Sequence, residues 1–165
     1  MEKGNRIIQT KDGGYISIGY IFTSDLGYTT YFHKVNIVMD LLIRKFNSQG
    51  NLIWKKQIGG SRSDEGYSII ETKESDLILV GITESNDRDL LDLNKGNMDV
   101  FAMKLNLNGE KIWTKVYGGT RNDEWPSIAL TTDGKIIIAG NTSSSDKDFA
   151  EKTQGSTDFF IINLR

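Results

Sequence analysis

The side chains with the most evident chemical reach in this sequence are carboxylates, and they come in patterns. Asp87-Arg88-Asp89 and Asp146-Lys147-Asp148 each place two acids around one base. Asp64-Glu65 and Asp123-Glu124 are adjacent acid pairs, while Asp40, Asp99 and Asp158 each precede an apolar run. Alternating carboxylates can supply oxygens to a hard cation, and calcium takes about six to eight of them. The spacing matches no EF-hand loop, and Arg88 or Lys147 opposes a cation. Turn hydrogen bonds are therefore the weightier reading of Asp87, Asp89, Asp146 and Asp148, with calcium as the competing one. Paired carboxylates also hydrolyse glycosides. Here the pairs recur at a fixed place, whereas a catalytic pair is asymmetric. Acids at a strand entrance can instead accept backbone N–H groups from the preceding loop. No catalytic residue is assigned.

Other chemistry is thinly represented. The chain has no cysteine, which excludes disulfides, thiolate metal sites and cysteine nucleophiles. His33 is the single histidine, so a zinc site would need three further oxygen ligands. No G-x-S-x-G elbow accompanies it. Trp54 and Trp113 occupy equivalent places and are expected to pack between sheets. Trp125 has no counterpart; it reads as a core residue or as a platform for stacking on a sugar. A net charge of −2 gives no electrostatic ground for nucleic acid or an anionic membrane as partner. No apolar run is long enough for a membrane span, and the first residues are not a signal peptide. An exported parent would make this chain a mature fragment or a piece of a longer protein.

The elements that must position these residues are set by a repeat. Residues 59–106 align without a gap on residues 118–165, with 18 of 48 pairs identical. The same pattern runs through residues 1–58, with three extra residues between Gly19 and Asp40. The chain is thus one domain of three units, 1–58, 59–117 and 118–165, of which the third lacks its last quarter. Each full unit reads as four strands. The pattern predicts strands at 6–10, 15–21, 40–46, 52–58, 67–73, 77–83, 100–106, 111–117, 126–131, 135–142 and 158–164. Asp-Gly and Asn-Gly pairs such as Asn108-Gly109 and Asp133-Gly134 supply the hairpin turns. Runs such as Leu77-Ile78-Leu79-Val80, Ile136-Ile137-Ile138-Ala139 and Phe159-Phe160-Ile161-Ile162 do not alternate, which predicts burial on both faces of strands two and three. Strand four alternates and is expected at the periphery.

Four-stranded sheets stacked face to face, about 2.75 of them, describe an all-β chain of β-propeller-type blades. A β-trefoil, which also has three four-stranded repeats, is the alternative. The pattern G-G-[ST]-x-x-D-E, strand, turn, strand, G-x-T-x-S, then G-x-x-D, strand and N-x-x-G-x-x-x-W resembles the bacterial β-propeller repeats of the SBBP type. It is carried by Gly59, Gly60, Asp64, Glu65, Gly81, Asp99 and Trp113, and again by Gly118, Gly119, Asp123, Glu124, Gly140 and Asp158. The resemblance implies tandem repeats of surface or secreted proteins. The resemblance says little about function; the symmetric recurrence of the acids gives the expectation of a non-catalytic module for binding or protein interaction, with a lectin-like module or the propeller of a glycan-active enzyme as alternatives. In an up-and-down sheet the loops after strands two and four share one end, which is the expected binding face. Because three units do not close a ring, the expected partners are neighbouring blades of a longer chain or a second copy in a homodimer. In such a pair the Ile21–Met39 insertion, with Tyr28, Tyr31, Phe32, Val35 and Ile37, would cover part of the junction.

Overall fold

The computed structural model describes residues 1–24, 37–151 and 156–164. The central part of the Ile21–Met39 insertion, including His33, lies outside them. Among the described residues the chain is all-β, with eleven strands and two single 3-10 turns. The strands are β1 (Glu2–Gln9), β2 (Tyr15–Ser24), β3 (Ile37–Phe46) and β4 (Leu52–Ile58); β5 (Asp64–Glu71), β6 (Leu77–Thr83), β7 (Asp99–Leu105) and β8 (Lys111–Tyr117); and β9 (Asp123–Leu130), β10 (Ile136–Thr142) and β11 (Asp158–Leu164). They form three antiparallel meanders, β1-β2-β3-β4, β5-β6-β7-β8 and β9-β10-β11. Among the described residues every strand ladder lies within one meander, and they form no shared barrel of the trefoil kind.

The register repeats from sheet to sheet. Glu2↔Ile21 and Gly4↔Gly19 correspond to Asp64↔Thr83 and Gly66↔Gly81. Each first strand carries one irregularity, after Gly4, after Gly66 and opposite Gly140. This bulge corrects the predicted strand starts. Gly66 was expected to lie before the strand, but it sits inside β5. Asp64-Glu65 and Asp123-Glu124 therefore begin strands rather than occupying loops. At the other end the strand closes earlier than predicted, because Thr72 N–H already bonds Asp76 O across the hairpin at 2.8 Å. The hairpins at Gly109 and Gly134 have φ of +79° and +86°, the left-handed conformation that glycine adopts without a Cβ penalty.

Two cores lie between the sheets. One joins Ile16, Ile18, Leu41 and Ile43 of the first sheet to Ile69, Leu79, Phe101 and Met103 of the second. The other joins Ile78, Val80, Val100 and Ala102 of the second to Ile138, Phe160 and Leu164 of the third. All seven residues of β6 are buried, as expected for a strand with a sheet on either side. The third sheet corrects that expectation: Phe159 and Ile161 are 63% and 61% exposed. An apolar run permits burial on both faces, but a second sheet must be there to cover the second one, and among the described residues none covers Phe159 and Ile161. Trp54 on β4 does pack between sheets, with Nε1 donating to Leu107 O at 3.0 Å and its ring against Gly109.

Gly81 and Gly140 hold this stacking open. Gly81 is paired with Phe101, whose ring lies over it, and a Cβ there would sit 2.6 Å from Phe101 and overlap Glu65 O at the bulge. Gly81→Ala is expected to cost about 2 kcal/mol or more through overpacking. Urea unfolding of the variant against wild type checks this, and an unchanged midpoint would show that the bulge can yield.

Candidate functional site

The repeated acids converge on one dipeptide at each sheet junction. Gly59-Gly60 connects β4 to β5, and Gly118-Gly119 connects β8 to β9. Here the chain leaves one sheet and enters the next, so its N–H groups cannot join a ladder and need other acceptors. Four carboxylates surround each pair. At the second junction, Gly119 N–H donates to Asp123 Oδ2 at 2.9 Å and Gly118 N–H to Asp148 Oδ2 at 3.0 Å. Thr120 N–H donates to Asp146 Oδ1 at 2.9 Å, and Asp99 Oδ1 lies against the Gly118 Cα. The first junction has the same partners one repeat earlier. Gly60 N–H donates to Asp64 at 2.8 Å, Gly59 N–H to Asp89 at 3.3 Å and Ser61 N–H to Asp87 at 2.8 Å, with Asp40 against Gly59.

Hydroxyls complete the cage. Thr83 Oγ1 donates to Asp64 Oδ1 at 2.6 Å, and Ser85 Oγ to Oδ2 at 2.8 Å. Thr142 and Ser144 do the same for Asp123. Arg62 N–H and Arg121 N–H then donate to the oxygens of Ser85 and Ser144 at 3.0 and 3.1 Å. The G-x-T-x-S segment thus supplies the hydroxyls of the site, and G-G-x-x-x-D supplies both its N–H donors and the carboxylate that accepts them. Asp99 stands at the entrance of β7 and accepts the N–H groups of Lys95 and Gly96. This is the strand-entrance role expected from its place.

Asp64, Asp99 and Asp123 are fully buried. Burial pushes the Asp64 carboxyl up to about 6, against the opposing pull of Thr83, Gly60 and Ser85. Burial likewise lifts Asp99 to about 6, with the neighbouring Asp123 adding to it, and raises Asp40 and Asp123. Asp40 Oδ1 and Asp99 Oδ1 have no hydrogen-bond donor. Each faces a glycine where a Cβ would overlap it, so an α-hydrogen of Gly59 or Gly118 points at the carboxylate. That close approach accounts for the first glycine of each pair. A Cβ on the second would overlap Asp87 or Asp146. Asp146, less buried than these, behaves oppositely: the Thr120 N–H holds it below the usual range.

The site thus brings together Asp64, Asp87, Asp89 and Asp40, and separately Asp123, Asp146, Asp148 and Asp99. Among the described residues no three histidine or acidic side chains converge as a metal-binding group. Asp158 is at the mouth of β11, partly buried and equivalent to Asp99. Glu65 and Glu124 are partly buried beside the bulge, and Glu124 accepts from Asn122 and Trp125. Trp125 does not enter the core. It is 61% exposed, stands edge-on to Tyr67 with ring centroids 5.7 Å apart, and has φ of +56° at the place of Gly66. The Thr83 and Ser85 hydroxyls belong to the repeated G-x-T-x-S pattern, with Thr142 and Ser144 as counterparts, and the structure shows what they bond.

Removing Asp64 leaves the Ser85 hydroxyl and the buried Gly60 N–H without an acceptor, and Thr83 with only its 3.3 Å bond to Ser85 O. Asp64→Ala is expected to lower stability by about 2–4 kcal/mol. A carboxyl whose pKa is higher folded than unfolded binds protons preferentially in the folded state. Its contribution is complete below about 3.8 and is lost as pH rises through about 6. The wild-type melting temperature should therefore climb as pH falls from about 7.5 to about 5, less steeply in Asp64→Ala. Thermal scans across that range check it, and a flat or inverted profile would place these acids in the ionised state throughout.

No protein-family profile matches the chain. Regulatory protein FlaEY of Caulobacter vibrioides is similar to it, at 21% identity over 111 residues. The aligned stretch is 64% of this chain and 12% of that protein, so the chain spans a small part of the relative's length.

Proposed function

We propose that the chain is a non-catalytic interaction module of β-propeller-type blades, part of a larger assembly whose neighbouring blades come from a longer chain or a second copy. The observation that carries this is the use already made of the acids. Asp64, Asp99 and Asp123 are sealed from solvent in cages of N–H and O–H donors, where they hold sheet to sheet and reach no substrate. No cofactor enters this reading.

The two ends of the stack are unlike. On the outer face of the first sheet, Ser17 and Arg44 stand at the positions of Leu79 and Met103. Arg44 pairs with Glu2, and Lys55 bonds Glu2 at 3.0 Å, so ion pairs stand on this face beside exposed Ile7. On the outer face of the third sheet, Ile137, Ala139, Phe159 and Ile161 stand where Ile78, Val80, Val100 and Ala102 contact a neighbour. Exposed apolar patches of this kind mark association surfaces. Head-to-tail closure of a dimer would set that patch on those ion pairs, so a neighbour with an apolar face fits better. Light scattering over a concentration series is expected to show association that Ile161→Lys abolishes at unchanged melting temperature. An 18.5 kDa monomer at every concentration would remove the second copy as neighbour and leave a longer chain to supply it.

Trp125 supports a second, lectin-like reading. A bulky residue at positive φ is a backbone outlier, and such strain clusters at functional sites. Its exposed indole, braced by Tyr67 and Glu124, offers a flat face of the kind that stacks on a sugar ring. A glycan array read with wild type and Trp125→Gly is expected to show hits lost in the variant, and an array without hits removes this reading.

A further inference from the structure

We propose that the corner formed by Trp125 and Tyr67, rimmed by Glu65, Glu84 and Glu124, is a binding site for an arginine side chain of a partner polypeptide. The proposal rests on the interaction-module reading above and adds the partner's chemistry.

The backbone explains how the corner arises. The counterpart of Trp125 in the second sheet is Gly66, where a Cβ would strike Leu41 of the first sheet. A side chain on the course that Gly66 follows has no room between sheets. Trp125 takes φ of +56° instead, and its exposed indole leaves the core. It stays on the side of the second sheet, edge-on to Tyr67 of β5. The corner therefore belongs to the junction of the second and third sheets.

Hydrogen bonds fix the two rings. Trp125 Nε1 donates to Glu124 Oε2 at 3.0 Å, and Asn122 Nδ2 donates to the other oxygen of Glu124 at 3.1 Å. The Tyr67 hydroxyl bonds Glu65. Burial, and after it the charge of Glu65, pushes that hydroxyl up to about 12, with Glu124 adding to the rise. Tyr67 is thus a neutral donor in the field of two glutamates. Glu84 brings a third carboxylate: after burial, its charge raises the Glu65 carboxyl most. Among the described residues no ion pair includes Glu65, Glu84 or Glu124.

The preceding junction shows what answers such charge. At the place of Glu65 and Glu124 the first sheet carries Lys3. Its Nζ stands 5.8 Å from the centre of the Tyr20 ring and 6.0 Å from that of Phe22. The same ammonium opposes the rise of the Glu65 carboxyl. There a cation meets rings and a carboxylate. At the next junction both places are glutamates, beside two rings. Aromatic faces attract cations, and tryptophan attracts them most. A guanidinium suits this corner better than an ammonium, because it stacks flat on an indole while its edge donates to carboxylates. A neutral sugar would cover the indole and leave the carboxylates unanswered.

The test is a titration of the full chain with acetyl-Gly-Arg-Gly-amide and with its citrulline analogue, which has the same shape and no charge. Tryptophan fluorescence and amide shifts report binding. The arginine peptide is expected to bind with a millimolar Kd, shifting the Trp125 indole N–H and Tyr67. Binding is expected to weaken about tenfold in Trp125→Gly and about threefold in Glu84→Gln. Trp125→Gly restores the residue of the second sheet and relieves the positive φ, so its melting temperature is expected to equal or exceed that of wild type. Lost binding is then not lost folding. Three outcomes would each overturn the proposal: no binding at tens of millimolar peptide, equal binding of the citrulline analogue, or equal binding by Trp125→Gly. Shifts at Trp125 from methyl glycosides, with none from the arginine peptide, would overturn it in favour of the lectin-like reading. A chain that ignores arginine yet associates through Ile161 would lose this site and keep the interaction-module reading. One that binds arginine and also hydrolyses a glycoside would keep the site and lose the non-catalytic reading.

Discussion

The rest of the structure depends on how a Gly-Gly turn is satisfied between two sheets. A meander pairs its own backbone, but the chain crossing to the next meander has donors that no ladder accepts. Here carboxylates take them. Asp123 accepts at Gly119 and Asp148 at Gly118, while Asp99 of the preceding sheet rests on Gly118 itself. One dipeptide thus meets residues of both sheets and of the long loop between strands two and three. Lengthening either glycine by one carbon would push carboxylate oxygens aside. The cage is polar, closed and directional, and it fixes how far each sheet is displaced from the last. The apolar cores can then be simple layers of Ile, Leu, Val and Phe.

Burying that much acid has a consequence for ionisation. A carboxylate in a closed space loses hydration, and the donors around it restore only part of the loss. The restoration differs from acid to acid. Asp123 has two hydroxyls and an N–H; Asp99 has two N–H groups on one oxygen and only a C–H on the other. Asp146, less buried and with the same type of N–H partner, keeps more of its hydration and moves the opposite way. The same residue type in one junction therefore titrates in different directions, by exposure more than by the number of donors.

Much of the fold was legible because the repeat samples each element more than once. A hairpin seen at Asn108-Gly109 and again at Gln49-Gly50 is read with little ambiguity, and the two-sided burial of β6 followed from Leu77 to Val80. The first-strand boundaries were not legible. Gly66 looked like a stop, and only the pairing of Gly66 with Gly81 shows a strand continuing through a bulge. Trp125 was misleading for a related reason. Hydrophobicity favours a core, but residue type does not reveal that the bulge turns this position outward. In the junction, the acids could be named from sequence. Their convergence on one Gly-Gly could not, because Asp40, Asp64 and Asp89 are far apart in the chain.

The unlike ends of the stack show how few residues decide between a closed face and an open one. The first and second sheets have the same strand order and register, yet Ser17 and Arg44 in place of Leu79 and Met103 convert an apolar layer into one that carries ion pairs. Arg44 then needs an acid, and Glu2 supplies it from the residue that corresponds to Asp64. The acid that secures an inter-sheet junction in the second unit is thus spent in the first on neutralising its own outer face. A sheet whose Asp64 equivalent is turned to this use cannot cage a preceding Gly-Gly. Among the described residues the stack therefore has a polarity: ion pairs at one end and exposed Phe159 and Ile161 at the other.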